Sequence, residues 1–343
     1  MAGRPTIADV AREAGVSVAT VDRVLNGRLP VKEQTARRVA EAAAALGFHA
    51  TSLIETRSRA ALPEYRLGFL LQHPEQAFYQ QFARQAEAAV TGASRFRGRA
   101  IVAHWTRQEP EEIVATLERL ARSCHAVGLV SPDHPTVSAA IERLKSRGIP
   151  VLALLSDVAA GIRHGYVGLD NRKVGRTAAW MIARAALRPG RVAVFVGSPR
   201  FTGHELREIG LRSYFREEAP DFTLLETRVN LETPEVTRQT LISIMGENPD
   251  LAGCYVSGGG MEGAIDALRS LRLARPPVLV VNELTPESRA GLAENLVTMA
   301  IGTPLPELCR SAVDIMAQAV EDGAAASPGQ TFLPFDIHLP ETI

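Results

Sequence analysis

The chain has 343 residues, 46% of them hydrophobic, with 38 basic and 38 acidic side chains. That is ample for a sizeable core and too long for one average domain. No apolar run reaches roughly eighteen residues, which excludes a spanning helix. Met1-Ala2-Gly3-Arg4-Pro5-Thr6 carries no hydrophobic signal region, and Cys124, Cys254 and Cys309 are widely spaced, as reduced core thiols would be. A cytoplasmic protein without membrane contact, metal site or cofactor is expected.

Thr6-Ile7-Ala8-Asp9 has the form of a capping box, a hydroxyl at a helix start with a carboxylate three residues on. Behind it Ile7, Val10, Ala11 and Ala14 recur at helical spacing. Gly15 supplies a tight turn. Ser17 then caps a second helix, whose buried side is expected to be Val18, Val21, Val24 and Leu25. A third helix carries Val39, Ala42 and Leu46 and stops at Gly47, a suitable left-handed C′ residue. Three short helices with a glycine turn between the first two form a unit able to place the second in a DNA major groove. An ordinary three-helix bundle is the competing reading. Against it, the second helix exposes Ala19, Thr20 and Arg23, small residues that permit close approach and a guanidinium that can bond guanine bidentately. Residues 1–60 hold nine Lys/Arg against six acids, an excess of three that the remainder of the chain balances.

The run Thr6-Ile7-Ala8-Asp9-Val10-Ala11, Ala14-Gly15-Val16-Ser17 and Ala19-Thr20-Val21-Asp22-Arg23-Val24-Leu25-Asn26 resembles the amino-terminal signature of the lactose-repressor (LacI/GalR) family. The resemblance implies that Val18, Ala19 and Arg23 face bases, while Thr6, Ser17, Thr20, Asn26 and Thr35 hold the DNA backbone. Two residues depart from the family. Asp22 stands where a Ser is usual and puts an acid near the phosphates. Lys32 stands where a Ser often caps the third helix, and would exchange that cap for a phosphate contact.

Residues 49–65 form the boundary segment, polar, short of aromatics and ended by Pro63. It reads either as a loose linker or, by the resemblance, as a hinge helix that orders on operator DNA and wedges a Leu into the minor groove. The family's Pro-Asn opening is replaced by Ala50-Thr51. Leu53 or Ile54 would serve as the wedge, with Arg57 or Arg59 on phosphate.

From Arg66 onward, short aliphatic runs alternate with helical patterns. Strands are expected at 67–71, 100–104, 126–130, 151–155, 192–196, 224–229, 253–256, 278–281 and 297–301, with helices such as 111–122 and 304–319 between them. This βαβ alternation implies an α/β fold with parallel sheets covered by helices on both faces, and the region is large enough for two doubly wound lobes. By the resemblance these are lobes of the periplasmic-binding-protein type I fold joined by three crossovers. Lobe 1 would comprise about 66–167 plus 302–325, and lobe 2 about 168–301 plus 326–343, behind a helix-turn-helix domain at 1–48. The last crossover is placed after the 297–301 strand.

Ligands bind beyond the carboxyl ends of strands in such sheets. The residues there include Phe78 and Tyr79, Asp157, Asp170 and Asn171, His204, Arg207 and Glu283. Acids that accept hydroxyl hydrogens, Arg and Asn that fix geometry, and aromatic rings suit a neutral, polyhydroxylated ligand. Each has a plainer reading: Asp170-Asn171 fits a turn and helix cap, Gly175 helix packing, and His204 with Glu205 a surface pair. Arg207 and Glu283 match positions that bond sugar hydroxyls in the family, where Glu283 replaces the usual Asp; a structural salt bridge between the two is the opposing reading. Gly258-Gly259-Gly260 occupies a place where relatives often carry Asn-Asp, so a contact is lost there or backbone amides substitute for it.

The expected protein is a ligand-responsive transcriptional regulator, a homodimer on double-stranded operator DNA, repressing genes of carbohydrate or polyol metabolism until a sugar-like effector releases it. An α/β enzyme with an accessory DNA-binding domain is the alternative raised by Ser257-Gly258-Gly259-Gly260, which lacks G-x-G-x-x-G or Walker spacing. A solute-binding protein is the other.

Overall fold

The structure is a computed structural model that describes residues 5–26, 31–48, 62–323 and 329–343. The contacts divide the chain into two compact units, one of residues 1–65 with 90–99, the other of 66–89 with 100–343. Leu53 and Arg57 lie outside the described residues.

The amino-terminal helices are α1 (Ile7–Ala14), α2 (Val18–Asn26) and α3 (Glu33–Ala45). The Thr6 hydroxyl accepts from the Asp9 amide at 3.3 Å while the Asp9 carboxylate accepts from the Thr6 amide at 2.9 Å, so two otherwise orphaned donors are satisfied. Gly15 turns the chain with φ +61, and the Arg38 guanidinium donates to the Ala14 carbonyl at 2.5 Å, tying that turn to α3. Val10, Val21, Val24, Leu25, Val39 and Phe48 make the small core. Val18 is not part of it: it stands 52% exposed, because Val21, Val24 and Leu25 alone complete the buried stripe of a nine-residue helix.

From Glu64 onward the elements are β1 (Glu64–Gln72), α4 (Ala77–Thr91), β2 (Arg97–Trp105), α5 (Pro110–Ala121), β3 (Ala126–Leu129), α6 (Pro135–Ser146), β4 (Val151–Leu154) and β5 (Gly165–Leu169). There follow α7 (Asn171–Ala185), β6 (Arg191–Val196), α8 (Thr202–Glu218), β7 (Thr223–Leu224), β8 (Arg228–Val229), α9 (Pro234–Glu247), β9 (Leu251–Val256), α10 (Met261–Leu271), β10 (Val278–Asn282), α11 (Pro286–Ala293) and β11 (Met299–Gly302). The chain ends with α12 (Leu305–Asp322), β12 (Gly329–Leu333) and β13 (Asp336–His338). Pro at the first turns of α5, α6, α9 and α11 pre-sets the helical φ where no amide partner is needed.

Two sheets result, ordered β12-β5-β4-β3-β1-β2 and β13-β11-β10-β9-β6-β7, with β8 also pairing β6. The first centres on Leu70, Val127, Leu129 and Ala153 packed against α5 and α6, the second on Phe195, Val256, Leu279 and Val281 packed against α9 and α10. Val and Leu dominate the inner strands because both faces are covered by helices.

The chain crosses between sheets after β5, after β11 and again after β12. β12 pairs parallel with β5, Thr331 opposite Val167, whereas β13 pairs antiparallel with β11, Ile301 opposite Ile337. Residues 329–333 therefore join the first sheet and not the second, and the last crossover falls after Leu333, later than expected. The expected strand 224–229 is two short pieces, β7 and β8, each paired separately to β6. Residues 167–169 close the buried strand β5 before α7 begins.

Candidate functional site

On α2 the residues turned away from the core are Ser17, Val18, Ala19, Arg23 and Asn26, all exposed, with Thr20 half-buried. Ser17 caps the helix by accepting from the Thr20 amide at 3.2 Å, and its hydroxyl meets that of Thr20 at 2.8 Å. The outer face of this helix therefore offers hydroxyls at its start, two small apolar side chains, then a guanidinium. Asn26 donates to the Asp22 carboxylate at 2.6 Å, so one of its two amide hydrogens is engaged by the acid that departs from the family pattern. Lys32 sits at the N-cap of α3 with no side-chain cap, and Thr35 is half-buried in the first turn.

The second site lies between the two sheets, at the carboxyl ends of their strands. Gln72 ends β1, Val130 and Ser156 follow β3 and β4, Glu232 follows β8, Gly258 and Gly259 follow β9, and Asn282 and Glu283 stand at the end of β10. Phe78, Tyr79, Phe201, His204, Arg207, Glu262 and Thr285 complete the wall around a space of about 70 Å³. The lobes are bonded across this cleft. Gln72, held by the Tyr79 hydroxyl of its own lobe, donates to the Glu232 carboxylate at 2.7 Å; the Gly203 amide donates to the Ser156 hydroxyl at 3.1 Å, and the Asp133 amide to the Arg200 carbonyl at 2.8 Å.

Arg207 is the fixed cation of the site. Its Nε donates to the Asn171 side-chain oxygen at 2.7 Å and its Nη1 to the Ser257 carbonyl at 2.5 Å. Nη2 remains, 4.0 Å from the Glu283 carboxylate. Glu283 is itself held by the Thr303 amide at 2.5 Å and the Thr303 hydroxyl at 2.8 Å. Burial raises the Glu283 carboxyl above its ordinary value, and Arg207 and Thr303 pull it back. Burial, aided by the Arg207 charge, lowers His204 to about 3, so its ring is neutral at physiological pH. Burial likewise raises Glu232 and Glu262.

Five of the expected ligand residues, Phe78, Tyr79, His204, Arg207 and Glu283, come together on this wall. Three do not line it. The Asp157 carboxylate is taken by Arg163 (Nη2 to Oδ2 2.6 Å) and by Gln330 at 2.9 Å, so it is spent within the first sheet's rim. Asp170 caps α7 by accepting from the Lys173 amide at 3.1 Å. Asn171 stands behind Arg207 and orients it, its amide donating to the Tyr166 hydroxyl at 3.3 Å. Gln72 and Ser156, polar residues at strand ends, line the site too, and Glu232 and Glu262 line it without having been expected there. Glu232 is also an acid just after a strand, the same signal that pointed to Glu283.

A helix-turn-helix reader joined to a two-lobed binding unit with a polar interlobe cavity defines a ligand-sensing DNA-binding protein. The comparisons agree. Residues 67–325 match the periplasmic binding protein domain, and residues 6–51 match the bacterial regulatory proteins of the lacI family. The chain belongs to the LacI family of transcriptional regulators, with a periplasmic-binding-protein-type sensor. It is 23% identical to the HTH-type transcriptional regulator GalS of Salmonella typhimurium over 96% of this chain and 94% of that one. The sucrose operon repressor of Streptococcus mutans is 26% identical over 73% and 72% of the two chains. Among solved structures, a periplasmic solute binding protein of Actinobacillus succinogenes with bound D-allose superposes with a TM-score of 0.73 at 19% identity, covering 81% of this chain and 98% of that one. That likeness establishes the fold. Among the described residues no helix is long and apolar enough to cross a membrane, and no group of three His, Cys, Asp or Glu is placed to hold a metal ion.

Proposed function

We propose that this regulator is a homodimeric repressor of carbohydrate- or polyol-use genes whose operator affinity falls when a small hydroxyl-rich effector binds between the lobes. The observation that carries this reading is the cavity itself. Gln72 and Tyr79 from one lobe, and His204, Arg207, Glu232 and Glu283 from the other, converge on one space with both donors and acceptors. A ligand held by both walls fixes the angle between lobes, and that angle is what two joined readers on a pseudo-palindromic site would sense. The name of one relative, a sucrose operon repressor, supports the same effector class, as does the D-allose bound in a protein of like fold.

Linkage sets the size of the effect. A hundredfold release of DNA needs about 2.7 kcal/mol of difference between effector binding to the DNA-bound and the free form. The test is fluorescence anisotropy of labelled duplexes from around its own gene, titrated with the protein alone and with a panel of sugars and polyols. One compound should weaken binding at least tenfold, with a dimer in sedimentation velocity. A compound that binds by calorimetry yet leaves DNA affinity unchanged would sink the regulatory coupling.

A further inference from the structure

Glu232 is a carboxyl buried in the cleft without a Lys or Arg in contact with it. Its side chain is 4% exposed, and one oxygen accepts from Gln72 at 2.7 Å. The other has only the Gly259 amide, at 3.4 Å, and the His204 ring nitrogen at 3.7 Å. His204 is neutral; His73 on the neighbouring loop pairs with Glu75 at 3.0 Å and acts on Glu232 only through space, not by a bond. Among the described residues no Lys or Arg nitrogen comes within 4.0 Å of Glu232. Glu283, by contrast, has Arg207 and two bonds from Thr303. Three carboxylates, Glu232, Glu262 and Glu283, thus face a cavity with one guanidinium, two of whose three nitrogens are committed.

The unmet hydrogen-bonding capacity has the same sense. Gln72, which lines the cleft, is 1% exposed, and its side-chain oxygen is buried without a partner. It too is an acceptor. An anionic ligand would meet repulsion here, and a neutral polyol would bond the acceptors without bringing Glu232 a cation. A protonated amine does both.

The chain around Glu232 is shaped to hold that carboxylate. Leu231 and Glu232 adopt φ +52 and +57, a left-handed pair, and the Glu232 amide donates to the Asn230 side chain at 2.9 Å. A Cβ at Gly197 would stand 2.4 Å from the Glu232 Cγ, and one at Gly259 2.9 Å from its Cβ. Gly197 and Gly259 therefore make a socket for an acid from another strand end.

We infer that the effector carries a protonated amine beside its hydroxyls, as in an amino sugar or amino polyol, and that Glu232 with Gln72 reads that amine. This rests on the hydroxyl-rich effector proposed above. Isothermal titration of the full chain with matched trios separates the two: glucosamine, galactosamine and mannosamine, each beside its parent hexose and its N-acetyl derivative, with glucamine beside sorbitol. At least one amine should bind ten times or more tighter than its parent and than the uncharged N-acetyl form. Glu232→Gln should reduce that ratio to within about twofold of one. Equal or tighter binding of a neutral parent overturns the amine and leaves the sugar reading standing. Binding of nothing in the panel overturns both. A preference that survives Glu232→Gln removes Glu232 from the role, and should that variant unfold, Glu232→Asp, which keeps the charge, must keep the preference.

Discussion

Gly175 of α7 lies against the backbone of Arg207 in α8 so closely that a Cβ there would stand 1.8 Å from the Arg207 carbonyl oxygen. One turn on, Gly210 does the same to the Arg172 carbonyl at 2.1 Å. The two glycines let α7 and α8 touch backbone to backbone, and this contact sets where the Arg207 guanidinium enters the cleft. Asn171, on the same helix as Gly175, completes the positioning through its bond to Nε.

Gly175→Ala should therefore damage stability and sensing together. Forcing the helices apart costs about 1–3 kcal/mol of overpacking, and the displaced Arg207 should weaken effector binding at least tenfold. Urea midpoints and calorimetry measure the two effects. Gly246→Ala is the control, since nothing lies within 4 Å of a Cβ there; it should be neutral or stabilising by about 0.5–1 kcal/mol. A Gly175→Ala protein with unchanged midpoint and affinity would show that α7 and α8 do not need this approach.

How much of this was legible in the sequence depends on how local each cause is. The reader was legible because the Thr6–Asp9 box, the Gly15 turn and the Val21–Leu25 stripe act within a few residues. β5, Gly165-Tyr166-Val167-Gly168-Leu169, was not, because two glycines interrupt its apolar run and its fifth residue leads straight into a helix cap. β12 buries only Leu333, so pairing with β5 rather than its own pattern makes it a strand. In the cleft, Arg207 and Glu283 stood out by position. Asp157 misled because the strand-end rule does not say which way a side chain turns; Arg163, six residues on, was the available clue. Glu232 escaped because its orientation depends on a left-handed backbone pair and on glycines from two other loops.

Arg23→Ala should abolish operator-specific binding and leave the fold intact. Arg23 is exposed on a helix whose packing rests on Val21, Val24 and Leu25, so the substitution removes a base contact without opening the core. The loss should be about 1–3 kcal/mol per half-site. Footprinting on the native operator and a thermal melt check the two halves of the claim, and an unchanged footprint would remove α2 from the role of recognition helix.

Asp22→Ser should tighten operator binding. At present Asp22 engages an Asn26 amide hydrogen at 2.6 Å and adds a negative charge to the face carrying Arg23. Removing the charge relieves a repulsion of about 0.7 kcal/mol from a phosphate about 6 Å away in water, roughly threefold per half-site, and frees Asn26 to donate to the DNA. Anisotropy titrations at two salt concentrations should show the gain shrinking as salt rises. A weaker complex would mean that Asp22 holds Asn26 in its binding rotamer and that the pair acts together.

His204 gives the sensor an acid-side liability that one substitution should remove. Burial and the Arg207 charge lower its folded-state pKa from 6.5 to about 3. Between those two values the unfolded chain binds a proton that the folded chain does not, so this residue's contribution to stability falls as pH drops from about 6.5 towards 3. Glu232 and Glu283 act in the opposite sense. Their folded-state values are raised above 4.5 by burial, so they penalise the fold as pH rises through the ordinary carboxylate range into the raised folded values. The net profile mixes both signs, and the difference between wild type and His204→Gln isolates the imidazole. Glutamine is neutral at every pH and keeps a polar group beside Glu232. Melting temperatures taken from pH 7.5 to pH 4 should show wild type losing ground to the variant steadily below about 6.5. A constant difference across that range would mean that His204 charges freely in the folded protein, and that the cleft admits enough water to solvate it.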